Sequence, residues 1–114
     1  MTPLILIVED DLPIRESLRD LLTEEGYRIA EADHGAHALE LLEKEPPALI
    51  LLDLWMPVMT GGELLTRLRA EPRWASLPVV ILTAANEDAD PSLTTLRKPV
   101  GLEMLLSTVA EKLK

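Results

Sequence analysis

The sequence contains no cysteine and no phenylalanine, and it has only one tyrosine and two tryptophans. Without cysteine the chain can form neither a disulfide nor a thiolate-bound zinc site, a composition that is common among cytoplasmic proteins. With so few aromatic rings, aliphatic side chains must fill the core. No apolar run reaches the roughly 20 residues that a membrane-spanning helix needs. Acids follow the first apolar run at once, unlike a secretory signal, so we expect a cytoplasmic protein without membrane contact.

Basic residues are also scarce, since 11 Lys and Arg stand against 20 Asp and Glu and the net charge is −9. Nucleic-acid binding depends on clustered Lys and Arg that contact phosphates, so we expect no direct nucleic-acid partner. The remaining balance, 47% apolar and 27% charged residues in a chain of 114, is typical of a globular protein. We expect one domain that spans residues 1–114.

Short apolar runs alternate with helical patterns along the chain. The predicted strands are residues 4–8, 27–32, 48–52, 78–82 and 93–97, of which the second and the fifth are half-polar. This alternation predicts a parallel sheet with helices on both faces, and right-handed crossovers leave few topologies. With the three apolar strands in the centre, we predict an α/β, flavodoxin-like fold whose five strands have the order 2-1-3-4-5.

Carboxylates follow two predicted strands that are neighbours in this order. Glu9, Asp10 and Asp11 follow the first strand, and Asp53 follows the third. Open α/β sheets bind ligands outside the carboxyl ends of their strands, so we expect Glu9, Asp10 and Asp53 to converge. Three carboxylates in one place repel one another unless a cation lies between them. An all-oxygen ligand set with few protein contacts suits Mg²⁺.

Two further predicted strands end on polar residues. Thr83 and Ala84 follow the fourth strand, and Lys98 and Pro99 follow the fifth. Beside a magnesium ion, Lys98 would neutralise phosphoryl oxygens and Thr83 would donate a hydrogen bond to one of them. Aspartate is a known covalent acceptor of phosphate. We therefore predict that Asp53 accepts a phosphoryl group.

These residues carry a family resemblance. Four segments in order, ILIVEDD (5–11), LILLDLWMPVMTGGELL (49–65), PVVILTA (78–84) and LRKP (96–99), resemble the receiver domain of response regulators in two-component signalling. The resemblance implies a CheY-like fold and a role in a phosphorelay, with a histidine kinase or phosphotransfer protein as donor and a downstream protein as partner. It also implies that the chain is no enzyme beyond catalysing its own phosphorylation and dephosphorylation.

The resemblance implies a role for individual residues around a magnesium ion. Asp53 would be the phosphoacceptor, and Glu9 and Asp10 would form an acidic pocket. The metal would be bound by Asp10, Asp53 and the backbone carbonyl of Trp55, with Glu9 close by.

A second set of implied residues contacts the phosphoryl group. Thr83 and Lys98 would bind its oxygens, with Ala84 next to the threonine. The peptide bond between Lys98 and Pro99 is expected to be cis, an isomer found almost only before proline.

The chain departs from the receiver pattern between the fourth and fifth strands. Only residues 84–92, rich in turn-forming types, separate the two, so we predict that the usual fourth helix is absent or a single turn. The usual switch aromatic, three residues before Lys98, is Thr95. We therefore expect either signalling through another surface, such as the first helix or the 84–92 loop, or partner binding that ignores phosphorylation.

Alternative interpretations remain for several of these features. The chain can be a pseudo-receiver, a docking module that works without phosphorylation. An aspartate-dependent phosphatase is disfavoured, because such enzymes need a second acid where this chain has Trp55. Asp11 can simply cap the first helix, and we expect His34 and His37 to be solvated rather than metal ligands.

Overall fold

The computed structural model describes residues 2–53, 61–83, 94–97 and 101–113. The elements in chain order are β1 (Leu4–Val8), α1 (Leu12–Glu24), β2 (Arg28–Ala32), α2 (Gly35–Lys44), β3 (Leu49–Asp53), α3 (Gly61–Ala70), β4 (Val79–Thr83), β5 (Thr94–Arg97) and α4 (Leu102–Lys112). In the described ranges, no helix combines the length and apolarity required to traverse a bilayer. The prediction that the usual receiver helix between the fourth and fifth strands is absent or a single turn concerns residues 84–92, which lie outside the described residues.

The strands form one five-stranded sheet in the order β2-β1-β3-β4-β5, and every neighbouring pair is parallel. This confirms the predicted α/β fold and strand order. The half-polar β2 and β5 are the edges, because an edge strand has a neighbour on one side only and needs less apolar cover. The third and fourth strands run one residue later than predicted. Asp53 and Thr83 are therefore the last residues of β3 and β4 rather than the first residues after them.

Two aliphatic clusters cover the two faces of the sheet. Alternate side chains of a strand point to opposite faces, so β1 contributes Leu6 and Val8 to one cluster and Ile5 and Ile7 to the other. The first cluster contains buried residues of α2 and α3, and the second contains buried residues of α1 and α4. Each fully buried Leu or Ile contributes about 1.5–3 kcal/mol relative to an exposed one, so these clusters fix the strands.

Helix α1 begins and ends where its sequence signals predict. The Asp11 Oδ1 atom accepts a hydrogen bond from the backbone N–H of Ile14 at 3.0 Å. The chain turns after the helix at Gly26, whose φ of 97° is a conformation that side-chain-bearing residues rarely adopt. Leu18 and Leu22 are buried, whereas Ile14 is 37% exposed and lies at the margin of the apolar stripe. The start of α1 therefore follows directly from the acidic segment after β1.

Candidate functional site

The ends of β1 and β3 lie side by side at the carboxyl edge of the sheet. Val8 is paired with Leu52 in the parallel register, so the next residues, Glu9 and Asp53, occupy neighbouring backbone positions. The backbones of two predicted acidic positions, Glu9 and Asp53, are thus adjacent at the ends of the two central strands. Convergence of the side chains stays a prediction, because the structure describes the backbone but not the side chain of Asp53.

Glu9 and Asp10 are consecutive acids in opposite environments. Glu9 is 0% exposed, and its backbone N–H donates to the Ala32 carbonyl of β2 at 3.0 Å. Asp10 is exposed. A buried carboxylate needs polar partners or a cation close by, and within the described residues no buried side-chain nitrogen or oxygen lacks a partner. The pair therefore places one carboxylate in the protein and leaves the next accessible from solvent.

Asp11 closes this acidic segment by capping α1. Besides the side-chain bond to Ile14, its carbonyl accepts the first helical hydrogen bond, from the Arg15 N–H at 2.9 Å. The interpretation of Asp11 as a helix cap is confirmed. A cap of this kind fixes where the helix starts, and so it limits the freedom of the two acids before it.

Arg15 is a contact of the acidic segment that the sequence did not predict. Its Nη1 atom donates to the backbone carbonyl of Glu9 at 2.8 Å, and its Nε atom lies 3.4 Å from Glu31 Oε1 on β2. Arg19 meets the other carboxylate oxygen of Glu31 at 3.5 Å. A signal was present in the half-polar strand, where Glu31 pairs with Ile7 next to the end of β1. Glu31 could be recognised as a neighbour of the acidic segment only once β2 was known to pair with β1.

The other predicted site residues are described only in part or not at all. Thr83 ends β4, and its backbone is paired with Arg97 of β5. Thr95, where receivers usually have the switch aromatic, is paired with Ile81. The remaining predictions fall on residues outside the described ranges, namely Trp55, Ala84, Lys98 and Pro99.

The two histidines form a separate polar cluster at the start of α2. His34 is the N-cap, and its Nδ1 atom accepts a hydrogen bond from the His37 N–H at 3.1 Å. His37 Nδ1 lies 3.2 Å from Asp33 Oδ1. Desolvation raises the pKa of Asp33, but its backbone hydrogen bond and the two histidines outweigh this and hold the pKa below its ordinary value. Among the side chains that the structure describes, no group of three acids or histidines is arranged to hold a metal ion.

Comparison with known proteins identifies the family. The sequence profile of the response regulator receiver domain matches residues 5–109, and the chain therefore belongs to this family of two-component signalling proteins. It is 42% identical over 88 residues to the transcriptional regulatory protein AfsQ1 of Streptomyces coelicolor, covering 77% of this chain and 38% of that protein. It is 40% identical over 86 residues to the sensor histidine kinase TmoS of Ectopseudomonas mendocina, covering 75% of this chain and 9% of the kinase.

Solved receiver domains share the fold over nearly the whole chain. The signal receiver domain of a histidine kinase from Syntrophus aciditrophicus superposes with a TM-score of 0.88 at 31% identity, covering 98% of this chain and 90% of that domain. The chain spans well under half the length of the two curated relatives described above.

The residues at the end of β1 fit the magnesium ion that receiver domains generally bind. Every predicted ligand atom is an oxygen, the donor type that a hard divalent cation prefers. Asp10 is exposed, so its carboxylate is open to an ion that keeps part of its water shell. Glu9 adds a second carboxyl group, which is buried within the protein next to Asp10.

Proposed function

We propose that this chain is a phosphorelay receiver that accepts a phosphoryl group from a histidine kinase or phosphotransfer protein on Asp53. The observation that supports it best is the adjacent placement of Glu9 and Asp53 at the carboxyl ends of two central strands. Buried apolar residues precede both positions, so the sheet holds the two backbones in a fixed relation. A fixed relation of this kind is what phosphoryl transfer requires, since its catalysis consists mainly of positioning and charge neutralisation.

The chemistry assigned to Asp53 is one displacement at phosphorus. A carboxylate oxygen of Asp53 forms the new P–O bond while the P–N bond of the donor phosphohistidine breaks, and the imidazole leaves with the bonding electron pair and takes up a proton. The product is an acyl phosphate. Thr83 and Lys98 are assigned to the phosphoryl oxygens, as a hydrogen-bond donor and as a cation.

Asp10, Asp53 and the carbonyl of Trp55 are the proposed magnesium ligands, with Glu9 beside them. When bound, Mg²⁺ supplies positive charge against the oxygens of the transferred group. The chain's own contribution is to hold Glu9 buried within the protein and to keep Asp10 open to solvent. In this proposal the chain catalyses only its own phosphorylation and dephosphorylation and acts on no other substrate.

The proposed output is a protein–protein contact. Thr95 takes the position of the switch aromatic, so the signal is assigned to another surface, such as α1 or residues 84–92, and a downstream protein partner binds there. Nucleic acid and membrane are not proposed as partners, in line with the net charge of −9.

The test is intact-mass spectrometry after incubation with acetyl phosphate, with and without Mg²⁺. The wild type is expected to gain one phosphoryl group only with Mg²⁺, and Asp53→Asn is expected to gain none. Beryllium fluoride with Mg²⁺ should also change the NMR spectrum of the wild type. A chain that gains no phosphoryl group and ignores beryllium fluoride is a pseudo-receiver, and turnover of a small phosphate ester would instead indicate a phosphatase.

A further inference from the structure

Arg15 has no part in the proposed reaction, and yet it is bound to the acidic segment at the end of β1. We propose that Arg15, held by Glu31, is a positioning residue that fixes the peptide between Glu9 and Asp10 and so aims Asp10 at the magnesium ion. The inference rests on the proposed function, because it concerns how well the ligand Asp10 is placed.

The contacts of Arg15 connect three elements at one point. The guanidinium on α1 donates to the Glu9 carbonyl after β1 at 2.8 Å and lies 3.4 Å from the Glu31 carboxylate on β2. The Arg15 side chain is 15% exposed and that of Glu31 is 29% exposed, so water competes weakly for these contacts. A guanidinium is a rigid planar group whose N–H bonds point in fixed directions. Holding it from two sides therefore fixes the direction of the bond that it donates.

The bond to the Glu9 carbonyl acts on Asp10 through the backbone. The carbonyl of Glu9 and the nitrogen of Asp10 belong to one planar peptide group, so orienting the carbonyl also orients the start of Asp10. The other end of the segment is fixed by the Asp11 cap. Asp10 thus lies between two anchored peptides, and partners that orient a metal ligand commonly change metal affinity by about 10- to 100-fold.

A purely electrostatic role for Arg15 predicts the opposite sign. A cation near the carboxylates repels Mg²⁺, so its removal should tighten metal binding. If Arg15 positions Asp10, its removal should weaken binding although the site becomes more negative. The direction of the change in the dissociation constant therefore separates the two roles.

Arg19 provides a matched control for this comparison. It lies one turn further along α1 and contacts the same Glu31 carboxylate, but its hydrogen bonds go to Asp20 and Glu31 rather than to the Glu9 backbone. Arg15→Gln and Arg19→Gln remove the same charge near the same acid. We expect calorimetric titration to show Mg²⁺ binding about 10-fold weaker in Arg15→Gln and unchanged or tighter in Arg19→Gln.

The metal-free protein gives a second readout, which does not depend on phosphorylation. In ¹⁵N NMR spectra the amide signals of Asp10 and Asp11 should move in Arg15→Gln and stay in place in Arg19→Gln. If Arg15→Gln does not fold, the charge-conserving pair Arg15→Lys and Arg19→Lys replaces it. We expect a smaller but definite loss of Mg²⁺ affinity in Arg15→Lys alone, because one ammonium group cannot replace the two-sided contact of a guanidinium.

The possible results separate this inference from the proposed function. Equal Mg²⁺ affinities for the Arg15 and Arg19 variants, or unmoved Asp10 and Asp11 amides, would overturn the positioning role while the proposed phosphorelay function stands. A wild type that binds no Mg²⁺ would contradict the proposed function and remove the positioning role with it.

Discussion

Two consecutive stretches of the chain, residues 5–8 of β1 and residues 9–11 after it, are held in place by different forces. Each of residues 5–8 is at most 1% exposed and belongs to one of the two aliphatic clusters. The acidic segment is instead held by directional bonds, from Glu9 to Ala32, from Arg15 to Glu9 and from Ile14 to Asp11. Substitutions in the strand should therefore act on stability, and substitutions around the segment should act on the site.

The largest effect is expected from Ile7→Ala in the strand. Removing most of a fully buried side chain should lower the free energy of unfolding by about 2–5 kcal/mol, because apolar burial is lost and a cavity remains. Urea unfolding, monitored by circular dichroism, measures this loss in the free energy of unfolding. Leu12→Ala, at a position that is 51% exposed, is the control and should change stability by less than about 0.5 kcal/mol. Equal losses in both variants would show that the strand is not held by burial.

The next effect is the stabilisation by Mg²⁺ and its loss in Asp10→Asn. An ion that binds only the native state should stabilise the wild type by about 1.4 kcal/mol at ten times its dissociation constant. Asp10→Asn should lose this gain while the metal-free stability changes little, because Asp10 is exposed. Thermal unfolding with and without Mg²⁺ measures both the stabilisation by the ion and the stability of the metal-free protein. Glu16→Gln, the same change at an exposed position of α1, should keep the gain, and its loss there would point to nonspecific charge screening.

A smaller loss is expected when the helix cap at the end of the segment is removed. Asp11→Ala should destabilise the protein by about 1 kcal/mol, because the N–H of Ile14 loses its acceptor. Asp11→Asn should keep most of the stability, since asparagine is an equally good cap. Urea midpoints of the three proteins at one pH are sufficient for the comparison. An Asn variant as unstable as the Ala variant would mean that charge, rather than capping, matters at Asp11.

The contrast between apolar burial in β1 and directional bonds in the acidic segment also explains how far the sequence alone predicts the fold. The strand 4–8 has the bounds that its apolar run predicts, because burial on both faces leaves a continuous aliphatic pattern. The order of the strands also follows, since half-polar runs are suited to edges. The apolar pattern predicts that β3 and β4 end at Leu52 and Leu82, one residue too early. The carboxylate of Asp53 and the hydroxyl of Thr83 interrupt the apolar pattern where the backbone pairing continues.

The candidate site was predictable where one strand end or one local turn determines it. The helix cap of Asp11 depends on residues three apart, and the acids at the end of β1 follow from the position of that strand. The contact between Arg15 and Glu31 does not follow from the sequence, because it joins α1 to an edge strand rather than two positions of one element. Such polar contacts between elements leave no periodic pattern, so they become visible only in three dimensions.

The smallest effect is expected from a polar contact far from the site, between Arg73 and Glu43 at 2.7 and 3.0 Å. The hydrogen bonds from Arg73 hold the pKa of Glu43 below its ordinary value. Glu43 therefore adds stability above the pKa that it has in the unfolded chain, and this contribution disappears as the pH falls through the lower pKa of the folded protein. Glu43→Gln should be slightly less stable than wild type at pH 7 and equal to it in acid, with unchanged Mg²⁺ binding. Glu40→Gln, at an exposed position of the same helix, is the control, and an equal pH dependence in both variants would refute the pairing.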